Sequence, residues 1–450
     1  MATNATAGVM LPTFNMPALP EYTLKVRPAI VAGLPDALSQ MLMLIFAYWA
    51  TSAVFHVFDV YDLFPQYRLH TPAEITKRNK VTRYEVFRDV IVQQVVQTLF
   101  GVAIAWWDPP EMMGKEQYDI AVWALRLRVA QSYLPTALRV IGVDSVQLAT
   151  KSYQHHPTVA AVLAGGAYQS PGFASWELQA GWLIYHVLVP FLQFSIAIVL
   201  VDTWQYFVHR AMHMNKFLYT WLHARHHRLY VPYAYGALYN HPVEGFILDT
   251  VGTGSAYLLT GMTVRQGMAF FTAATIKTVD DHCGYHFPWD PLQHLTGNNA
   301  AYHDIHHQSW GIKTNFSQPF GTFWDRFLGT KWTGGDVSSR YERDRIAAQK
   351  KVDADAANAP STVTNSPAVD LDKAQKQAQE SRQQVLDDPK VDGRIVIAEE
   401  AREEKEVKQQ TPRRSTRRSV SGFDPKAISD RMAGSLHGRS TAILHADGLR

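Results

Sequence analysis

The sequence contains very little cysteine. Cys283 is the single cysteine among 450 residues, so no intramolecular disulfide bond can form and an oxidising compartment adds nothing to stability in that way. The first thirty residues lack the basic start, apolar middle and small-residue cleavage site of a secretory signal peptide, and we therefore expect none. The formal net charge of +3 is small, and no basic surface pattern indicates a nucleic acid as partner.

Apolar and aromatic residues are distributed unevenly along the chain. Up to about Thr333 the sequence is rich in Leu, Phe, Trp and Tyr, whereas the remainder consists mainly of Ala, Gln, Lys, Glu and Asp. Such a composition cannot bury a core. We therefore expect residues 336–450 to form a disordered charged tail, and removal of residues 338–450 to leave activity largely intact. The proline-rich residues 1–36 are expected to form an extended N-terminal tail.

Long apolar runs predict that the chain crosses a membrane. Residues 38–58, 90–107 and 182–206 each approach the roughly 20 residues that a spanning helix needs. Residues 246–278 are too few for two spans and contain four glycines, which favours a hairpin that returns to the same side. The prediction is an all-α, polytopic integral membrane protein, with membrane helices and a connecting loop in residues 37–180. A buried helix in a large soluble protein is the alternative for the first run.

A basic loop follows the first apolar run. It contains Lys77, Arg78, Lys80, Arg83 and Arg88. Because basic loops mark the cytosolic side of membrane proteins, we expect this loop to face the cytosol. A hairpin at residues 246–278 would place the histidine-rich region on the same side.

Histidines form four clusters in about a hundred residues. The clusters are His209 and His213; His223, His226 and His227; His282 and His286; and His303, His306 and His307. Spacings of three and four residues place side chains on one face of a helix. Ten imidazoles are too many for one metal ion and suit two, and imidazole binds iron, copper, zinc and nickel. The pattern therefore predicts a two-metal oxidase site on one face of a membrane protein.

Other metal-dependent functions fit the pattern less well. Zinc hydrolases place a glutamate beside their histidines in a His-Glu-x-x-His motif, which these clusters lack. A membrane haem protein needs single axial histidines on facing spans, whereas these clusters lie beside the spans. A membrane metal transporter remains the alternative from another class, and it predicts ligands inside the spans.

Four stretches carry a resemblance to a known family: residues 209–219, 226–233, 239–245 and 318–330. With the order of the histidine clusters, they resemble the fatty acid hydroxylase/sterol desaturase superfamily of membrane di-iron oxidases, and within it the sphinganine C4-hydroxylases. The resemblance covers roughly residues 182–333, which places a fatty acid hydroxylase catalytic domain at residues 181–335. It implies that two iron ions bind the ten clustered histidines. His241 and Asp304 are then candidates for an additional ligand or for orienting one.

The resemblance also implies the reaction. It is hydroxylation of C4 of a sphingoid base, from sphinganine or dihydroceramide to phytosphingosine or phytoceramide. The oxidant is O₂, and NAD(P)H supplies electrons through cytochrome b5 and its reductase, in a multi-pass protein of the endoplasmic reticulum membrane with its site facing the cytosol. A sterol desaturase or methyl oxidase of the same superfamily is the alternative. We expect four tyrosines either to contact the substrate or to lie at the membrane interface: Tyr230, Tyr233, Tyr235 and Tyr239.

Overall fold

The chain folds mostly into helices. A computed structural model describes residues 16–166 and 172–358, so the expected N-terminal tail is described only from residue 16 and the expected C-terminal tail only up to residue 358. Two short strands, β1 (Lys25–Val26) and β2 (Met112–Met113), pair antiparallel, with Lys25 opposite Met113 and Val26 opposite Met112. The fold of these residues is otherwise helical, as predicted.

The helices are named in chain order. They are α1 (Asp36–Tyr61), α2 (Pro72–Arg78), α3 (Arg83–Ala105), α4 (Glu116–Val140), α5 (Ser145–Ser152), α6 (Pro157–Leu163), α7 (Ser175–Leu183), α8 (Val189–Met214), α9 (Lys216–Trp221), α10 (Pro242–Gly245), α11 (Gly252–Thr260), α12 (Val264–Asp281), α13 (Pro291–Leu295), α14 (Ala300–His307), α15 (Phe323–Phe327) and α16 (Ser338–Asn358). Short 3₁₀ helices lie at Pro65–Tyr67, His223–Arg228 and Ala234–Gly236, and π-helical segments at Ile184–Leu188 and Phe246–Val251.

Three helices are long and apolar enough to cross a membrane. They are α1 with 26 residues, α3 with 23 residues, and the continuous helix Ser175–Met214 with 40 residues. In the most apolar 18-residue stretch of each helix, only 22%, 22% and 11% is buried inside the protein. Most of the apolar side chains therefore need lipid to cover them. The three predicted spans are present as helices and indicate a membrane protein.

The region after the histidine-rich 3₁₀ helix forms a helical hairpin. The π-helical segment Phe246–Val251 continues into α11, which ends at Gly261 in the left-handed conformation (φ 62°). The next helix, α12, begins after Thr263, whose side chain caps it. A Cβ added to Gly252 would lie 2.5 Å from Trp204 Cδ1, so this glycine lets α11 pack closely on α8. Two helices joined by a tight turn thus lie within residues 246–278, and the expected return to the same side of the membrane stays a prediction.

A cluster of buried apolar side chains supports the segment that carries the histidines. Tyr48 and Phe55 from α1 and Val86 and Val90 from α3 contribute to this cluster. They pack against Leu229, Tyr233, Ala234, Ala237, Tyr239, Val279, Cys283, Tyr285, Phe287 and Ala300. Fully burying a large apolar side chain stabilises the fold by about 1.5–3 kcal/mol. The membrane helices and the histidine-bearing loops therefore share one core.

The beginning of the expected C-terminal tail is helical. Helix α16 packs against α2, and its Tyr341 hydroxyl donates a hydrogen bond to Asp304 Oδ2 (2.6 Å). Arg340 lies over the Trp310 ring, 5.1 Å from its centroid. The structure thus differs from the expectation of disorder from residue 336, because a few anchoring side chains fix a helix whose composition is otherwise polar. The remainder of the tail lies outside the described residues.

Candidate metal centre

Nine of the ten clustered histidines converge into two buried groups. The five-histidine group contains His209, His213, His223, His227 and His306, and the four-histidine group contains His226, His282, His303 and His307. Within each group, one nitrogen from each histidine lies within 4.8 Å of all the others. Each group can therefore hold a metal ion.

The groups are assembled from elements that are distant in sequence. The last two turns of α8 supply His209 and His213, four residues apart on one face. The 3₁₀ helix His223–Arg228 supplies three histidines, α14 supplies three more, and His282 caps the end of α12. A spanning helix, a short loop and two helices outside the predicted spans thus meet at one place.

Adjacent histidines belong to different groups. His226 lies in the four-histidine group and His227 in the five-histidine group, and His307 and His306 are divided in the same way. Consecutive side chains point about 120° apart on a 3₁₀ helix and about 100° apart on an α-helix. Each His-His pair therefore bridges the two groups.

Backbone carbonyls and one carboxylate orient the five-histidine group. Nδ1 of His209 donates to the carbonyl of Phe316 (2.9 Å), and Nδ1 of His306 donates to that of Thr314 (2.7 Å). Nδ1 of His223 is hydrogen-bonded to the buried carboxyl of Glu244. A carbonyl can only accept a hydrogen bond, so Nδ1 carries the proton in His209 and His306 and their Nε2 is free.

Only backbone carbonyls are found as Nδ1 partners in the four-histidine group, within the described part of the chain. His226 donates from Nδ1 to Tyr239 (3.1 Å), His282 to Thr278 (2.8 Å) and His307 to Leu229 (2.9 Å). These contacts again leave Nε2 facing the centre of the group.

The resulting arrangement of nitrogens fits a cation. Nε2 of His223 lies 3.0 Å from Nε2 of both His209 and His227. In the other group, Nε2 of His303 lies 3.0 Å from Nε2 of His282. An imidazole that is protonated at Nδ1 presents only a lone pair at Nε2. The Nδ1–H···O=C bonds of His209 and His282 assign such a lone pair to their Nε2, which is the atom that would bind a metal ion.

The imidazoles are in the form that binds metals. Burial lowers the pKa of His223 to about 3, that of His226 to about 4 and that of His282 to about 3. Burial also lowers the pKa of His307 well below the ordinary value for histidine. At neutral pH these side chains are uncharged, so no proton has to be displaced before a metal ion binds.

His286 is the one clustered histidine that the structure does not bring into either group. Its side chain is exposed, and its backbone N–H donates to the Tyr67 carbonyl (2.8 Å). Helix α12 ends at Asp281, and Gly284 turns the chain with φ 78°. The helical spacing that we expected between His282 and His286 is therefore not formed, and the two imidazoles point to different places.

His241 and Asp304 also lie outside both groups. His241 caps α10, where its Nδ1 accepts from the Val243 N–H (3.2 Å) and its own N–H donates to Glu244 Oε2 (3.3 Å). It thus positions the carboxylate that contacts His223. Asp304 contacts no clustered imidazole in these described residues and accepts instead from His70 and Tyr341.

The four tyrosines pack mainly in the core. The side chains of Tyr230, Tyr233 and Tyr239 are buried, and that of Tyr235 is partly buried. The backbone carbonyl of Tyr239 accepts a hydrogen bond from Nδ1 of His226 and so orients that imidazole. The hydroxyl of Tyr48 donates to the Tyr235 carbonyl (2.7 Å), which attaches this loop to α1.

Two residues that support the site were not identified from the sequence. One is Glu244, beside His223. The other is the buried His70, whose Nδ1 lies 2.9 Å from Glu74 Oε1 and whose Nε2 lies 2.9 Å from Asp304 Oδ1. Burial alone would lower the pKa of His70, but the two carboxylates outweigh it and raise this pKa to about 9. In the sequence, the Thr71-x-x-Glu74 capping pattern beside His70 predicts the start of a helix. It does not predict that His70 contacts Asp304, which lies 234 residues away.

Comparisons with known proteins identify relatives of this arrangement. Residues 194–330 match the fatty acid hydroxylase family, a range that contains both histidine groups. The chain is 44% identical to sphingolipid C4-hydroxylase SUR2 of Saccharomyces cerevisiae over 331 residues, 74% of this chain and 82% of the relative. It is 41% identical to sphingolipid C4-hydroxylase sur2 of Schizosaccharomyces pombe over 308 residues, 68% and 92% of the two chains.

A plant relative is similar over a slightly shorter range. Sphinganine C4-monooxygenase 2 of Arabidopsis thaliana is 36% identical over 286 residues, which is 64% of this chain and 84% of the relative. No solved structure matches the chain. The similarity therefore extends well beyond the histidine region, into the N-terminal helices or the C-terminal part of the chain.

Proposed function

The chain belongs to the fatty acid hydroxylase family and is an oxygen-dependent hydroxylase, and from this premise we propose that it hydroxylates C4 of a sphingoid base. The product is phytosphingosine from sphinganine, or phytoceramide from dihydroceramide. The names of the relatives support the substrate class and the position. The observation that carries the proposal is the pair of buried histidine groups beside an apolar cavity.

We assign one iron ion to each histidine group, with all nine converging histidines as ligands. Imidazole nitrogens suit iron. When bound, two ferrous ions supply the reduction of O₂, so that C–H, O₂, two electrons and two protons give C–OH and water. His286 is not among the proposed ligands because its side chain is exposed and outside both groups.

The chain itself performs three tasks in this reaction. Backbone carbonyls and Glu244 hold six of the nine imidazoles with Nε2 inward, so much of the ligand set is formed before a metal binds. Burial of all nine histidines excludes bulk water from the reacting centre. A cavity of about 300 Å³ shares four lining residues with a small cavity that the histidines line, and it is suited to hold an alkyl chain so that one carbon approaches the histidine groups.

Electrons are expected from a partner protein. In the sequence, Gly252-Thr-Gly254 lacks the third glycine of a dinucleotide-binding turn and follows no strand, so it gives no sign of a nicotinamide site. We propose that cytochrome b5 and its reductase deliver electrons from NAD(P)H. The donor would act where the histidine-bearing segments meet the cytosol.

The cytosolic orientation is supported by contacts of the basic loop. Arg228, at the end of the histidine-rich 3₁₀ helix, donates to the Lys80 carbonyl at 2.7 and 3.0 Å. The Asn79 side chain donates to the Val231 carbonyl (3.1 Å). The basic loop and the histidines thus lie on the same side of the spanning helices, and basic loops favour the cytosol. We propose the endoplasmic reticulum membrane as the location.

The proposal is tested by lipid analysis of cells that lack 4-hydroxylated long-chain bases. These cells receive the intact chain, a His226→Ala chain or a His306→Ala chain, with membrane expression measured for each. We expect 4-hydroxy bases only with the intact chain. No new hydroxyl despite good expression would contradict the proposal, and altered sterols in the same cells would favour the sterol-oxidising alternative.

A further inference from the structure

We propose that Asp249 binds the protonated amine of a free sphingoid base and thereby sets the position of C4 at the histidine groups. This inference rests on the proposed function and goes beyond it, because it identifies a residue that recognises the polar end of the substrate. It also predicts that the free base is preferred over N-acylated forms, in which the nitrogen carries no charge.

An apolar cavity of about 300 Å³ extends between the membrane helices. Its lining comes from α1, α3, α8, α11, α12 and the π-helical segment Phe246–Val251, with mostly aliphatic and aromatic side chains. The α1 residues that line it run from Ala37 to Tyr48, which at ~1.5 Å per residue is about 16 Å along the helix. An elongated apolar space of this kind suits a long alkyl chain.

A smaller cavity lies directly against the metal-binding residues. Its lining includes His223 from the five-histidine group and His226, His282 and His303 from the four-histidine group. Four residues line both cavities: Gln205, Asp249, Thr278 and Pro319. A molecule whose chain occupies the large cavity therefore passes these residues before it reaches the histidines.

Asp249 presents a carboxylate oxygen without a partner at this junction. Its Oδ2 is buried and has no hydrogen-bond partner among the residues that the structure describes. Its Oδ1 accepts from Gln205 Nε2 (3.3 Å), and Gln205 is held in turn by Gln318, whose Nε2 donates to Gln205 Oε1 (2.9 Å). The carboxylate is thus oriented by two glutamines, with one oxygen left for a ligand.

Asp249 is an acidic residue in a mostly apolar setting. No described Lys or Arg forms an ion pair with it, although an unpaired buried carboxylate is costly. Asp249 lies in a π-helical segment, a type of segment that is frequent at functional sites. A cationic group of a ligand would supply the missing partner, and the neighbouring apolar cavity indicates that this ligand also has a long alkyl chain.

A sphingoid base has this combination of groups. Its amine is on C2, two carbons from C4, and is protonated near neutral pH, whereas the carbons beyond C4 are apolar. With the ammonium group on Asp249 and the chain in the large cavity, C4 lies two carbons from the junction at which the large cavity meets the small cavity that the histidines line. An N-acyl group would replace the cation by a neutral amide and leave Asp249 unpaired.

The test compares two substrates that differ only in charge at C2. Membranes that contain the full-length chain receive either sphinganine or an analogue in which a hydroxyl replaces the amino group, and kcat/KM for 4-hydroxylation is measured. We expect the wild-type chain to prefer sphinganine by about 30-fold or more. In Asp249→Asn, which keeps an acceptor for Gln205, that preference should be lost because kcat/KM falls for sphinganine, whereas the iron bound per chain should match that of the wild-type chain.

The outcomes separate this inference from the proposed function. Hydroxylation of neither substrate by the wild-type chain would contradict the proposed function itself. Hydroxylation of both substrates with equal kcat/KM would leave the proposed function intact and overturn the role of Asp249. An unchanged preference in Asp249→Asn would overturn it as well. If Asp249→Asn fails to accumulate, the wild-type comparison of the two substrates decides alone.

Discussion

The two histidine groups differ in the number of imidazoles and in how these are held. The five-histidine group includes His223, whose Nδ1 contacts the carboxyl of Glu244, whereas the Nδ1 partners found in the four-histidine group are backbone carbonyls. The small cavity is lined by one histidine of the first group and three of the second. An ion bound by the four-histidine group would therefore have fewer imidazole ligands and would lie closer to the small cavity.

We infer from this asymmetry that the two proposed iron ions have unequal tasks. A carboxylate beside a ligating histidine makes that ligand more basic and fixes its orientation, which favours firm retention of the ion in the five-histidine group. An ion in the four-histidine group would have fewer imidazoles to hold it, and three of them line the small cavity.

The largest effect is expected from adjacent histidines of α14. His307→Ala leaves three imidazoles in its group, whereas His306→Ala leaves four in the other. Both changes should reduce hydroxylation by about 100-fold or more, and His307→Ala should lose more iron per chain than His306→Ala. Iron is measured by elemental analysis of purified protein. Equal losses, or a greater loss in His306→Ala, would contradict the inequality of the groups.

Glu244→Gln tests the carboxylate of the five-histidine group. It keeps a hydrogen-bond partner for His223 but removes the charge, so that iron should be bound about 10–100-fold more weakly in this group and unchanged in the other. A chelator should then release the iron of the five-histidine group about 10–100-fold faster than from the wild-type chain, with the release from the other group unchanged. Glu85→Gln is the matched control, because Glu85 occupies the same capping-box position in α3 and contacts none of the histidines in either group. Release from the five-histidine group at the wild-type rate in Glu244→Gln would show that the charge is unimportant.

His70 should affect the two groups alike. It contacts Asp304 on α14, a helix that contributes to both groups. His70→Gln leaves the buried carboxylate of Asp304 without this cation, whereas Glu74 keeps its ion pair with Arg78 (3.0 Å). The change should destabilise the fold by about 3 kcal/mol. Thermal unfolding in detergent measures the effect, and selective loss of one iron would contradict this common role.

The contribution of His70 should also depend on pH. Its pKa is raised from 6.5 to about 9 in the folded protein, so its charged form is favoured by folding. The stability difference between wild type and His70→Gln should therefore be full below about pH 6.5 and disappear as the pH rises through about 9. A difference that grows with pH would have the wrong sign.

A smaller effect is expected at the start of the charged tail. A chain that ends at Asn358 keeps the Tyr341–Asp304 hydrogen bond (2.6 Å) and should retain activity. A chain that ends at Val337 loses it and should be less stable by about 1 kcal/mol. Tyr341→Phe in the full-length chain is the matched control and should reproduce most of this loss. From the sequence we expected all residues from 338 onward to be dispensable for activity. With α16 in place, we expect this only of the residues after 358.

His286→Ala should have the smallest effect. The side chain is exposed and belongs to neither group, so iron content and hydroxylation should stay within a factor of about two, as for surface substitutions. His282→Ala is the matched comparison. His282 lies four residues before His286 in the same sequence cluster, but it contributes to the four-histidine group. A loss of iron in His286→Ala as large as in His282→Ala would show that His286 is a ligand after all.

The composition of the apolar runs and the spacing of the histidines were sufficient to predict the long helices and the histidine-rich site. The three apolar runs predicted three long helices, and the glycine-interrupted run predicted a hairpin, because both depend on local chain properties. The four histidine clusters predicted a site with two groups. His209 and His213 behave as their spacing implies, since α8 continues without interruption through both.

The division of the histidines was not predictable from spacing. We expected His226 and His227 on one face, but the 3₁₀ geometry directs them to different groups. The partners Glu244 and Asp304 depend on contacts between distant segments, which no local pattern encodes. His286 was misplaced because the helix ends at Asp281, a boundary that depends on the turn at Gly284.

Titration of iron into the iron-free full-length protein tests the central claim most directly. Formation of 4-hydroxy sphingoid base is measured against iron bound per chain, in the presence of O₂ and the electron donor system. The two groups predict that activity stays low below one iron per chain and reaches its plateau at about two. Full activity at one iron per chain, or a plateau reached with no dependence on iron, would contradict a centre built from both groups.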